Sequence, residues 1–168
     1  MRLFIAILFD KDVTCALEEA LAELSAQNIR GNYTRSENLH LTLAFLGETE
    51  DARGAIAAMM SAAGQGFPIT LEGIGRFGDT LWAGVQSGGK LEALAERLKE
   101  ALSARGFSIE RRKFLPHITL VRRAEGREDR SRIGLCTSMK VGRVSLMWSR
   151  RVGGKLIYTE LYGCNLSE

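Results

Sequence analysis

Two short segments of this 168-residue chain share one frame: HLTL at residues 40–43 and HITL at 117–120. They hold the only two histidines, His40 and His117, each with a threonine two places on, Thr42 and Thr119. A lone strand histidine is more often structural than catalytic. At ordinary residue usage, however, a given histidine meets the pattern aliphatic–Thr–Leu on the order of one time in a thousand. An imidazole beside a hydroxyl is a unit for handling a phosphoryl group: the hydroxyl donates to a non-bridging oxygen and the imidazole moves a proton. Two such units supply what displacement at phosphorus requires without a metal. One neutral imidazole takes a proton from the attacking oxygen, and one imidazolium protonates the departing oxygen. Histidine serves either role because its unperturbed pKa is about 6.5, and each role is worth about 10²–10⁴-fold in rate. In-line attack puts the two groups on opposite sides of phosphorus. A zinc site would need three or four ligands, and no cysteine or acidic residue stands at ligand-like spacing from either histidine. A Ser–His–Asp arrangement would leave the second frame unexplained.

The frames must sit on strands to work this way. In a strand, positions i and i+2 share a face. His40 and Thr42 then point one way, as do His117 and Thr119, while Leu41, Leu43, Ile118 and Leu120 enter the core. The alternation predicts strands over 2–9, 38–46, 68–72, 80–85, 118–121, 141–148 and 156–162. Apolar stripes predict helices over 12–27, 51–63 and 90–104, with a short helical turn within 127–136. Gly-rich GIGRFGD reads as a turn between two strands. It is no dinucleotide fingerprint, because it leads into a strand where that motif requires a helix. Each half of the chain thus holds strands, a helix and one frame, which predicts a duplicated α+β unit.

A composition of 45% hydrophobic and 26% charged residues is that of an ordinary globular protein and excludes a disordered tail. Cys15, Cys136 and Cys164 are scattered and odd in number, which argues against a disulfide framework and fits the reducing cytoplasm. The opening MRLFIAILFD carries one arginine and a short apolar run with no small-residue cleavage site, so it reads as a buried first strand. No stretch reaches membrane-spanning length. Net charge is +3 but uneven: residues 1–100 hold 9 Lys/Arg against 14 Asp/Glu, and residues 101–168 hold 14 against 6. A basic second half suits an anionic partner such as a phosphate or a nucleic-acid end.

The segments MRLFIAI, NLHLTLAFLG, LWAGV at 81–85 and RKFLPHITLVR at 112–122 resemble the 2H phosphoesterase superfamily, defined by two His-x-Thr motifs. The branch they look most like is that of the RNA 2′,3′-cyclic phosphodiesterases, also called 2′-5′ RNA ligases. In the looser tail SRRVGGKLIYTEL, Ser149 and Tyr158 fit the family pattern, but Gly154 falls one place early and Lys155 takes its slot, so no role is carried there. The resemblance implies an α+β fold: one bilobal domain over 1–168, two antiparallel sheets facing a central cleft, helices on the outer faces. It implies opening of a 2′,3′-cyclic phosphate to a 2′-phosphate with no metal and no cofactor. His40 is then the acid protonating O3′, His117 the base activating water, Thr42 and Thr119 the phosphate donors, and Arg122 a further phosphate holder. Run backwards with an RNA 5′-hydroxyl in place of water, the same chemistry forms a 2′-5′ bond without ATP.

The expected partner is RNA ending in a 2′,3′-cyclic phosphate, or a nucleoside 2′,3′-cyclic phosphate, with no membrane and a monomeric enzyme. Arg122 stands at an odd offset from His117, on the other face of an ideal strand, so a bulge or strand end must re-aim it. Arg111, Arg112, Lys113, Arg123, Arg150 and Arg151 are candidates for RNA backbone contact. Phe45, Phe77, Phe114, Trp82 and Trp148 include candidates for stacking a terminal base, a contact worth about 1–3 kcal/mol. Two alternatives stay open: a non-enzymatic RNA-end or nucleotide-binding module, and a relative acting on another cyclic or 2′-5′-linked nucleotide. The frames read the phosphate and leave base and chain length unspecified.

Overall fold

The computed structural model describes residues 1–168. Strand β1 (Arg2–Ile7) forms where Leu3, Ile5 and Ile7 alternate toward the core, all essentially inaccessible, leaving Arg2, Phe4 and Ala6 on the other face. Helix α1 (Lys11–Ala26) starts at Asp10, whose carboxylate accepts from the Val13 amide at 2.9 Å and satisfies an orphan N–H. Its stripe buries Val13, Leu17, Ala20 and Leu24. The chain continues through β2 (Arg30–Tyr33), a 3₁₀ turn (Ser36–Asn38), β3 (Leu41–Glu48) and α2 (Ala52–Ala62). Next come β4 (Phe67–Phe77), β5 (Thr80–Gln86), α3 (Lys90–Ala104) and β6 (His117–Glu125). A second 3₁₀ turn (Arg130–Arg132) leads to β7 (Cys136–Val141), β8 (Arg143–Val152) and β9 (Lys155–Asn165).

These strands make two wholly antiparallel sheets, ordered β3-β1-β8-β9 and β2-β6-β5-β4-β7. Each sheet takes strands from both ends of the sequence, so the two sides of the molecule are interleaved along the chain. Helix α1 packs on β7, α2 on β8 and β9, and α3 on α2 and β3. One cluster of 39 buried residues runs through both sheets and all three helices, which ties the two sides together. The first frame opens β3, an edge strand; the second opens β6, an interior strand.

Three local expectations need correction. Strand β2 has the sequence RGNY and buries none of its four residues, so no hydrophobic period marks it; it exists because β6 offers it an edge. Strand β7 buries only Val141, and the expected helical turn is confined to Arg130–Arg132 before it. Most of the GIGRFGD segment is strand: β4 runs through it to Phe77, and only its last two residues, Gly78 and Asp79, turn the chain. Gly75 lies under the Trp82 indole from β5, and a Cβ there would overlap the ring. That glycine makes room for an aromatic side chain and does not bend the chain.

Candidate active site

His40 immediately precedes β3, and His117 is the first residue of β6. In both, Nδ1–H donates to the carbonyl two residues upstream: Asn38 for His40 and Leu115 for His117, each at 2.7 Å. A proton fixed on Nδ1 leaves Nε2 as the reactive nitrogen in both rings. The Thr42 hydroxyl donates to His40 Nε2 at 2.9 Å. On the second strand, His117 lies opposite Gly84 and Thr119 opposite Trp82, while Ile118 faces Ala83 on the core side. Leu41, Leu43, Ile118 and Leu120 are all buried. A single cleft of about 1150 Å³ is lined by His40, Thr42, His117, Thr119 and Arg122 together.

Arg122 reaches that cleft through a bulge. Trp82 pairs with Thr119 and Leu81 with Val121, so Leu120 is an extra residue with no partner on β5. Two residues against one reverse the alternation beyond that point. Arg122 therefore returns to the face of His117 and Thr119, and Arg123, at φ 51°, is turned off it. Strand β3 carries the same device: Ala6 pairs with Thr42 and Ile5 with Ala44, which leaves Leu43 as the extra residue. Phe45 is re-aimed in the same way and stands 59% exposed at the cleft. The residue five places after each histidine thus faces the gap: an aromatic on one side and a guanidinium on the other.

The two imidazoles have different surroundings. His40 packs against Phe4, with ring centroids 5.1 Å apart, and against the edge of Tyr158 at 5.2 Å. Burial there pushes its pKa below the ordinary 6.5; the Asn38 carbonyl opposes this, and the charges of Arg122 and His117 add to it. His40 is therefore neutral at pH 7 in the free protein. His117 lines the cleft beside Phe77, whose ring meets it edge-on at 5.6 Å and packs on Trp82 at 4.8 Å.

Asn38 and Phe4 were absent from the sequence-derived site; Tyr158 was noted but given no role, and Phe77 was named only as a stacking candidate. Asn38 is buried and donates through Nδ2 to the Leu156 carbonyl of β9 at 3.0 Å; Arg35 donates to the same carbonyl. This ties the backbone that holds the His40 ring to a strand 118 residues away. Nothing local in the sequence signals such a pairing. Phe4 was discoverable in part, since alternation puts it on the face of β1 opposite Leu3 and Ile5.

Two antiparallel sheets, each presenting a His-x-Thr unit to one cleft, define a phosphoesterase of the two-histidine class. The chain belongs to the 2′-5′ RNA ligase superfamily, whose pattern it matches over residues 13–153. It is 37% identical to an RNA 2′,3′-cyclic phosphodiesterase of Thermotoga maritima over 131 residues, 73% of this chain and 70% of that one. It is 31% identical to the Escherichia coli (strain K12) protein of the same name, over 95% of this chain and 93% of that one. The crystal structure of E. coli LigT complexed with 3′-AMP superposes with a TM-score of 0.86 at 30% identity, covering 99% of this chain and 98% of that one.

Proposed function

We propose that this chain is an RNA 2′,3′-cyclic phosphodiesterase that opens a terminal cyclic phosphate to a 2′-phosphate using His40 and His117 as its proton-transfer pair. The observation that carries this is the convergence of both His–Thr units and Arg122 on one cleft, with Nε2 of each imidazole free of backbone partners. Water attacks phosphorus as His117 Nε2 takes its proton, and the P–O3′ bond breaks as His40 Nε2–H protonates O3′. One P–O bond forms, one breaks, and the turnover consumes one water. Each cycle leaves a proton on His117 and removes one from His40, and solvent exchange resets both. The hydroxyls of Thr42 and Thr119 and the Arg122 guanidinium hold the non-bridging oxygens.

This assignment demands that His40, neutral in the free protein, be protonated in the complex. An anion bound at Nε2 has that effect. A protonated Nε2 no longer accepts from Thr42, so its N–H serves O3′ and the Thr42 hydroxyl hydrogen is freed for the phosphate. The reverse reaction, with an RNA 5′-hydroxyl replacing water, gives a 2′-5′ linkage, and water's abundance favours hydrolysis. One chain supplies both frames and one core, so a single-domain monomer suffices for the chemistry. Three free cysteines support a reducing compartment, and no helix is long and apolar enough to cross a membrane.

The test is product analysis on nucleoside 2′,3′-cyclic phosphates in EDTA, resolving 2′- from 3′-phosphate. We expect 2′-phosphate alone, and a loss of about 10²–10⁴-fold in His40→Ala and in His117→Ala, each still folded by circular dichroism. Activity that vanishes in EDTA and returns with zinc would remove the two-histidine mechanism. Tight binding of a cyclic-phosphate-ended oligonucleotide without ring opening would identify a binding module instead.

A further inference from the structure

A second groove of about 780 Å³ leaves the cleft from His40 and Arg122 and crosses the first sheet. Strand register arranges its floor. Arg2 shares the cleft face of β1 with Phe4 and pairs with Ser149 of β8, which pairs with Tyr158 of β9. Arg151, two residues after Ser149, lies on the same face as Ser149. Three guanidiniums, those of Arg122, Arg2 and Arg151, act on the Tyr158 phenol, whose ring stands 5.2 Å from His40.

These arginines are free to take an anion. None of the three is in an ion pair, and Arg151 touches only the Gly154 carbonyl at 3.3 Å. The groove's one carboxylate, Glu48, sits 3.5 Å from the terminal ammonium. Arg150 also lines the groove but differs from them: its guanidinium is engaged 4.6 Å over the Trp148 ring. The other arm of the cleft mixes Lys99, Arg111, Arg112 and Lys113 with Glu92, Glu96 and Glu110, and Arg112 is paired with Glu110, so carboxylates offset much of its positive charge.

We infer that Arg2, Arg151 and Tyr158 form a second phosphate subsite that takes the 5′-phosphodiester of the terminal nucleotide, so the substrate is recognised as a chain and not as a lone nucleoside. The inference rests on the cyclic phosphodiesterase reading above. The terminal nucleotide of such an RNA carries two phosphorus groups: the cyclic phosphate and, one ribose away, the 5′-phosphodiester through which the chain continues. With the cyclic phosphate between the imidazoles, a cationic surface beginning beside His40 is where the 5′ side of the ribose is drawn.

The experiment compares hydrolysis of adenosine 2′,3′-cyclic phosphate with its 5′-phosphorylated form. No 5′-hydroxyl strand is present, so contacts to a ligation acceptor do not enter. The 5′-phosphate should raise kcat/KM about tenfold, mainly through KM, the low end for charge-assisted contacts at an exposed site. In the Arg2→Gln/Arg151→Gln double variant that advantage should vanish while turnover of the unphosphorylated compound persists; Arg150→Gln should retain the advantage. Equal turnover of the two compounds by the wild type, or an advantage surviving in the double variant, overturns the subsite. So does its loss in Arg111→Gln/Lys113→Gln, which would route the strand along the other arm. If neither compound is opened, the catalytic reading fails on its own, and calorimetric binding of adenosine 5′-monophosphate against adenosine still reads the subsite: a preference that the double variant abolishes supports it, and no preference overturns it.

Discussion

Replacing Arg122 and, separately, Arg123 by glutamine tests the geometry on which the phosphate contact depends. In an ideal strand, even offsets share a face, so Arg123, six residues after His117, would stand beside it and Arg122 would face away. The unpaired Leu120 reverses this: Arg122 lines the cleft and Arg123 does not. Removing one donor aimed at developing negative charge costs about 10²–10³-fold in kcat, or about 2.7–4 kcal/mol. Arg122 is exposed in the free protein, so water replaces part of its effect and the loss should fall near 10²-fold. Arg123→Gln should stay within about twofold, because a solvated surface charge contributes little. Arg122→Lys should recover only part of the rate, since a point charge lacks the planar fork. The variant carries a second signature with a defined sign: Arg122 pushes the His40 pKa down, so Arg122→Gln should move it up. Steady-state kinetics on a nucleoside 2′,3′-cyclic phosphate read the first effect, and imidazole proton resonances read the second. If Arg123→Gln is the more damaging change, β6 runs straight and the bulge is wrong.

Two further perturbations probe the surroundings of the frames. With only two histidines, proton NMR titration is unambiguous once His117→Ala assigns the peaks, and His40 should titrate below 6.5. Because its folded pKa is depressed, the unfolded chain binds more protons just below pH 6.5. This part of the stability is therefore full above 6.5 and lost as pH falls toward the folded value; a His40→Gln variant should flatten that segment of the urea-midpoint profile, and an unchanged slope would count against a buried imidazole. Gly75→Ala should force the Trp82 ring aside at about 1–3 kcal/mol, a Tm drop of roughly 2–12 °C. It should also disturb Phe77, which packs between that ring and His117. An unaltered Tm would mean that the indole does not lie on Gly75.

Elements with strong periods were legible in the sequence. Helix α3 was read to the residue, and the core-facing positions of both frames follow from alternation alone. What escaped lacks a hydrophobic signal or depends on partners far along the chain. Strand β2 buries nothing, and β7 only one residue, because both lie at sheet edges where pairing replaces burial as the organising force. Gly75 looked like turn chemistry because the ring that requires a glycine there belongs to the neighbouring strand. Tyr158 meets His40, and the Asn38 side chain meets Leu156, only after β9 has folded back onto the first sheet. The tail's misplaced glycine has a local reason. Gly153 and Gly154, at φ 58° and 80°, form the two-residue loop joining β8 to β9, a turn that needs positive φ at both positions.

The frames are near-identical in sequence yet unequal in environment, and that inequality bears on the two opposite jobs proposed for them. Both rings are oriented by a carbonyl two residues upstream, so orientation does not distinguish them. Their neighbours do: both rings are half-buried, but His40 lies between Phe4 and Tyr158, with its supporting backbone tied to β9, whereas His117 meets Phe77 and hangs on the carbonyl of an exposed leucine. In the free protein burial favours the neutral His40 ring, so the proposed acid role requires the bound phosphate to charge it. The proposed division, His40 to the leaving oxygen and His117 to the nucleophile, rests on the packing around each frame and not on the three residues they share.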